Sequence, residues 1–324
     1  MRRNFIPFLF FLFIAVIGVT NYVKGTSRIT VPDVPLASNQ EGQATAAGEP
    51  LLLSDPYIAS EPRFVIPMPN APGTAVKANE TAIIDYSNAS DGYVMVKYFN
   101  STANMLVTLI NAPDGTEYTY ILTPGSFAVY PLSVGNGSYT IGVYEQTGGT
   151  RFRLIIKETI DVALRDSFAP FIRPNQYVNY NQNSVAVKKA HELTANATGV
   201  IQMITAVYNY VVTNFTYDKE FASTVQFGYL PDVDAVLARK KGICFDYTAV
   251  MTAMLRSQGI PTQLVVGYLG NEYHAWVRVY SKEEGWVNVI FFDGNSWRLM
   301  DPTFAAGRLD FAIDESQYKA IFRY

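Results

Sequence analysis

The pattern of hydrophobic and polar positions divides the chain into stretches with different periods. From Phe5 to Val19 the residues are apolar apart from Pro7 and Gly18, and no charge appears between Phe5 and Val23. A polar stretch with scattered prolines and glycines follows, from Thr26 to about Glu61. Short strand-like runs then succeed one another at 82–86, 93–98, 105–110, 117–122, 126–130, 138–144 and 151–157. Turn pairs separate them: Asp114-Gly115, Pro124-Gly125, Asn136-Gly137 and Gly148-Gly149. Short strands at regular spacing with no helical run predict a β-sandwich. After a connector holding Pro170 and Pro174 the period becomes helical. Ala186, Val187, Ala190 and Leu193 give one face of a helix over 185–194, with Ser184 as its expected N-cap. A second helix is predicted over 199–212, with Ile201, Ile204, Tyr208 and Val211 on one side, and a short one over 232–239. The stretch 219–231 reads as an aromatic loop. Tyr247, Val250, Met251, Met254 and Leu255 mark a further helix, stopped near Gln258 by Gly259 and Pro261. Strand-like runs at 263–268, 274–280, 286–290 and 296–300 come next, and the tail 309–324 reads as a last strand or helix.

The organisation expected from this pattern has four parts. Residues 1–25 are a signal peptide or an N-terminal membrane anchor, and residues 26–61 a flexible linker. Residues 62–165 are the β-sandwich, and residues 166–324 a second domain. Arg2 and Arg3 before the apolar run predict export, to an extracellular or cell-surface location. The run is close to the ~20 residues of a spanning helix, and no clean small-x-small cleavage site follows, which favours an anchor over a cleaved signal.

Composition adds exclusions. The formal net charge is −3, so no basic face for nucleic acid is indicated. One cysteine cannot form an internal disulfide, so stability must come from packed cores. That cysteine and two separated histidines make a poor metal-ligand set, and nothing points to a cofactor. Asn-x-Ser/Thr sequons at Asn79, Asn88, Asn100, Asn136, Asn196 and Asn214 matter only in a host that glycosylates.

The candidate chemistry lies between Lys240 and Asp301. Cys244 stands at or just before the first turn of a predicted buried helix, where free N–H groups and the helix dipole favour thiolate over thiol. His274 opens a predicted strand, and Asp301 follows the end of another. Alone, each has a bland reading: a buried small hydrophobe, a structural histidine, an Asp-Pro turn. In this order they supply the nucleophile, base and orienting acid of a cysteine acyl-transfer enzyme. The other histidine, His191, lies on the predicted helix 185–194 and reads as structural.

Gly242-Ile243-Cys244-Phe245-Asp246-Tyr247, then Gly259-Ile260-Pro261, His274-Ala275-Trp276 and Asp301-Pro302-Thr303, resemble the catalytic core of the transglutaminase-like superfamily. The resemblance covers roughly 184–304 and implies an α+β fold, a papain-like core preceded here by the all-β sandwich. It implies a Cys-His-Asp triad of Cys244, His274 and Asp301. It also implies a side-chain oxyanion donor near Asn214 to Asp218, for which Tyr217 is the candidate beside its plainer reading as a core tyrosine. The Cys244 N–H is the first oxyanion donor on this pattern. The expected reaction is attack on a carboxamide or peptide bond and release of an amine or ammonia. An acyl-thioester remains, which water or a second amine resolves. The expected partner is a protein or peptide substrate, cell-wall peptide among the candidates, together with the membrane through the N-terminal segment. A catalytically silent cell-surface binding module with the same fold stands as the alternative.

Overall fold

Alternation of inward apolar and outward polar residues in the first half produces eight antiparallel strands. They are β1 Val76–Ala78, β2 Ala82–Asp85, β3 Tyr93–Tyr98, β4 Leu106–Asn111, β5 Glu117–Ile121, β6 Ala128–Pro131, β7 Gly137–Gly148 and β8 Arg151–Val162. The computed structural model describes residues 64–103, 105–282, 285–288, 290–292, 297–299 and 318–324. The N-terminal segment and the linker expected over 1–61 lie outside them. Among the described residues no helix is long and apolar enough to cross a membrane.

The eight strands form two four-stranded sheets, ordered β1-β2-β3-β6 and β5-β4-β7-β8. Register brings inward residues opposite one another: Ile84 faces Val96 in the first sheet, and Ile110 lies between Tyr118 and Ile141 in the second. All five are buried. β1 was not legible in the sequence because its three residues are all exposed, leaving no alternation to read. β7 runs further than its apolar stretch into residues at the hairpin end, whereas β8 runs further at its other end, where 158–162 pair with the start of β7 and bury Ile160 and Val162.

Among the described residues the second half has five α-helices: α1 Val185–Thr194, α2 Val200–Asn214, α3 Lys219–Thr224, α4 Val233–Arg239 and α5 Cys244–Arg256. Its strands are β9 Thr216–Tyr217, β10 Lys241–Gly242, β11 Thr262–Leu269, β12 Glu272–Ser281, β13 Gly285–Asn288, β14 Ile290–Phe292, β15 Trp297–Leu299 and β16 Tyr318–Arg323. One antiparallel sheet, ordered β13-β12-β11-β16, carries α5 against β11 and β12. The fold is α+β, a strand-built half followed by a helix-and-sheet half.

Two local expectations are corrected. Ser184 holds the N-cap position of α1, but its hydroxyl accepts from Asn181 and caps nothing in the helix. The first amides of α1, from Val185 and Ala186, donate instead to the Asp234 carboxylate on α4, at 3.0 and 2.9 Å. The cap comes from a distant element, which no local motif reveals. The stretch 219–231 is also not all loop. Asp218 accepts from the Phe221 amide at 3.1 Å and starts α3, which buries no residue and so shows no apolar face.

Buried residues of both halves belong to one continuous core. β16 pairs with β11 and brings Phe322 and Tyr324 against Tyr118 of β5, with ring centroids 5.3 and 5.7 Å apart. Tyr177, from the connector, stacks with Tyr120 and meets Tyr324 and Phe245 edge-on. Beneath this cluster Arg256 is fully buried. It donates to the main-chain oxygens of Thr262, Arg173 and Tyr324 at 2.8, 2.8 and 2.6 Å. Burial pulls its guanidinium down to about 10, and the three carbonyls replace the water it loses.

This aromatic core makes stability depend on alkaline pH. Burial pushes Tyr120, Tyr130, Tyr177 and Tyr324 well above the ordinary phenol range. An unfolded tyrosine ionises near about 10. Folded values above the unfolded one mean that the stabilisation is complete below about pH 10 and is lost as pH rises towards the folded values. In a titration followed by tyrosinate absorbance and near-UV circular dichroism, we expect late ionisation above about pH 10, coincident with loss of tertiary signal. Smooth ionisation of every phenol near the ordinary value with the fold intact would contradict this account.

Candidate active site

The turn before Cys244 is built from α4, β9 and β10. Lys240 closes α4 in the left-handed conformation, with φ of 49°, and redirects the chain into β10. β10 pairs in parallel with β9, in a register that sets Gly242 beside Tyr217. The Asp218 amide donates to the Gly242 carbonyl at 2.8 Å, and the Asp218 carboxylate pairs with Lys241 at 3.1 Å. Ile243 is then the N-cap, with extended backbone, and Cys244 is the first residue of α5. From Asp246 to Arg256 the helix is buried, whereas Cys244 is partly exposed. So α5 is held on all sides while its first turn reaches the surface.

An N-cap isoleucine has no side-chain acceptor, and the first three amides of a helix have no intrahelical one. Among the described residues, the amides of Cys244 and Phe245 have no acceptor. They sit at the positive end of α5, where a developing oxyanion is favoured.

His274 is the third residue of β12, 8% exposed, and faces Gly267 of β11 in register. Its neighbour Tyr273 is pushed up by burial, with Cys244 among the groups that act on it. The structure thus brings the helix bearing Cys244 onto the strand bearing His274. Asp301 lies outside the described residues; β15, which pairs with β14, ends two positions before it. Tyr217 is partly buried, with its ring 6.4 Å from that of Tyr247. Its place beside Gly242 puts it next to the turn that leads into Cys244.

Sequence reasoning missed the group behind this turn. Asp246 is fully buried. It accepts from the Ile243 amide at 2.9 Å and from the Tyr229 hydroxyl at 2.6 Å, and Arg239 lies 3.5 Å from it. Burial pushes the Asp246 carboxyl up, against these partners, which lower it. Tyr229 is pushed up to about 12, by burial first and then by its bond to Asp246. One signal was present: an acid three residues after the N-cap is half of a capping box. It is easily passed over where the N-cap is isoleucine.

Residues 187–302 match the family model of the transglutaminase-like superfamily. A stretch of 118 residues is 33% identical to the uncharacterized protein YebA of Bacillus subtilis, covering 30% of this chain and 16% of that protein. Another, of 70 residues, is 33% identical to a protein-glutamine gamma-glutamyltransferase of Pseudomonas aeruginosa, covering 17% of this chain and 10% of that protein. The chain therefore spans only a small part of the length of either relative. Among solved structures, red sea bream transglutaminase aligns with 68% of this chain and 54% of its own, at 12% identity and a TM-score of 0.29. A provisionally assigned cysteine protease from Cytophaga hutchinsonii aligns with 70% of this chain and 73% of its own, at 14% identity and a TM-score of 0.37.

Proposed function

We propose that the transglutaminase-like domain over residues 187–302 is a cysteine acyl-transfer enzyme that works on carboxamide or peptide bonds. One observation carries the reading. Cys244 is the first residue of α5, partly exposed, with its own amide and the next unspent, on a helix packed against the strand that holds His274. A buried structural cysteine would need none of these features.

In the reaction we assign, the Cys244 thiolate attacks the carboxamide carbon. A C–S bond forms and the oxyanion is met by the Cys244 amide, with Tyr217 as the side-chain donor. His274 gives its proton to the leaving nitrogen as the C–N bond breaks, and Asp301 orients the imidazole. Water or a second amine then opens the thioester, and His274 accepts the proton of that nucleophile. Oxyanion donors contribute about 10² to 10³ each and the general acid about 10² to 10⁴. We place the enzyme outside the cell, held by its N-terminal segment, with a protein or peptide as substrate.

The test is a trapped intermediate. Incubate the protein with a tryptic digest of total cell protein, quench in acid, and map Cys244 by mass spectrometry. A thioester adduct on Cys244 is expected, and its mass names the acyl group. An unmodified Cys244 under all digests, with the thiol still reactive to iodoacetamide, would sink the reading in favour of a silent binding module.

A further inference from the structure

Asp246 is a fully buried acid two positions after Cys244, and the acyl-transfer chemistry does not use it. Its surroundings are built for it. Gly242 makes room: a Cβ there would lie 2.6 Å from both the Cβ and Oδ2 of Asp246. Oδ2 accepts from the Ile243 amide, and Oδ1 accepts from the Tyr229 hydroxyl. Arg239 donates through Nε to the Lys241 carbonyl at 2.7 Å and through Nη2 to the Tyr229 hydroxyl at 3.4 Å. Tyr229 is backed by Phe221, with ring centroids 4.9 Å apart. Its loop rests on the sandwich, where a Cβ on Gly228 would come within 2.8 Å of Ile121 of β5.

The choice of amide matters. An acid at the third helical position reaches back to the amide of the N-cap residue, half of a capping box. Asp246 does this with the Ile243 amide, the one before Cys244. This fixes the Gly242–Ile243 turn without occupying the amides of Cys244 or Phe245. We propose that Asp246 is a positioning residue, held by Tyr229, which sets the turn so that the free Cys244 amide meets the oxyanion of the acylation step. The proposal rests on the acyl-transfer reading of Cys244 and adds two residues, Asp246 and Tyr229, that act through it.

Two reagents separate positioning from folding. Acylation by p-nitrophenyl acetate passes through an oxyanion: the C–S bond forms, the ester C–O bond breaks and nitrophenolate leaves. Alkylation by iodoacetamide displaces iodide and needs no oxyanion donor. Both are to be measured at Cys244 for the wild type, Tyr229→Phe and Asp246→Asn. Misplacing a reacting group by about 1 Å costs on the order of 10²-fold. The ratio of acylation to alkylation should therefore fall about 10-fold in Tyr229→Phe and about 10²-fold in Asp246→Asn. Alkylation itself should stay within about 3-fold, well inside that margin. Ratios equal to wild type in both variants, or acylation and alkylation falling together, would overturn the proposal. Should Asp246→Asn fail to fold, Tyr229→Phe decides alone, because it removes one hydroxyl from a half-exposed side chain. A wild type that alkylates but releases no nitrophenolate would instead overturn the acyl-transfer reading itself.

Discussion

His274→Ala should slow acylation of Cys244 by about 10² to 10⁴, the range for loss of a positioned acid-base group. Cys244→Ala should abolish it, since the chain has no other thiol. Asp301→Asn should leave the fold intact and cost on the order of 10² to 10⁴ through a misoriented imidazole, by analogy with other triads. The three losses should not add, because residues acting as one unit fail together. The measurement is single-turnover formation of the thioester, with the pH profile of iodoacetamide labelling beside it and Cys244→Ala as the blank. Removing His274 should change that profile, and removing Asp301 should change it in the same sense. Profiles and acylation rates indifferent to both partners would mean that no triad is assembled. The silent binding module would then be the better account.

Gly267→Ala should unseat β16. A Cβ at Gly267 would lie 2.0 Å from the main-chain oxygen of Lys319 and 3.0 Å from the Cα of Ala320. Those are backbone atoms, so no rotamer change relieves the contact and the strand must retreat. The pairing of β11 with β16 shifts register between Val266 and Gly267, so the irregularity in the ladder falls at the same place. With β16 would go the packing of Phe322 and Tyr324 on Tyr118, and the bond from Arg256 to Tyr324. Overpacking alone costs about 1–3 kcal/mol, and loss of these contacts adds to it. At about 2–4 °C per kcal/mol, the melting temperature should drop on the order of 10 °C. Calorimetry showing a shift of under about 2 °C would mean that β16 accommodates the methyl group and contributes little. Gly267 also faces His274 in register, so the same variant should disturb the site from below.

How much of this was readable in the sequence depended on where the information lay. α1, α2 and α5 carry buried apolar residues at helical spacing, and their positions followed from that spacing. The tail was read only as strand or helix; pairing with β11 makes its described part, Tyr318–Arg323, a strand. Cys244 and His274 could be picked out as candidates because few residue types do that chemistry. Asp246, Tyr229 and Arg239 could not, since their partnership joins a helix, a loop and the end of another helix. The same holds for Asp234 as the cap of α1. A side chain that closes someone else's helix leaves no trace in the local pattern. The single core joining the sandwich to the second half was likewise invisible, because periodicity tells which face is buried but not against what.

The placement of β16 also bears on how the chain acquires its fold. Its partner β11 lies some fifty residues earlier, and Ser133 of the sandwich bonds the Arg323 carbonyl across 190 positions. Contacts so far apart in sequence make folding slow, because loop closure is unfavourable until the distant partner arrives. During synthesis, Cys244 and His274 emerge well before residues 318–324. Until then the central sheet has an open edge at β11, and Tyr118 lacks the rings of Phe322 and Tyr324 that pack on it. The nascent molecule therefore carries an exposed strand edge and an apolar patch at once, a combination that invites aggregation or chaperone binding. The sheet beneath the helix of Cys244 is completed only when β16 docks, which ties the surroundings of that thiol to the completion of the fold.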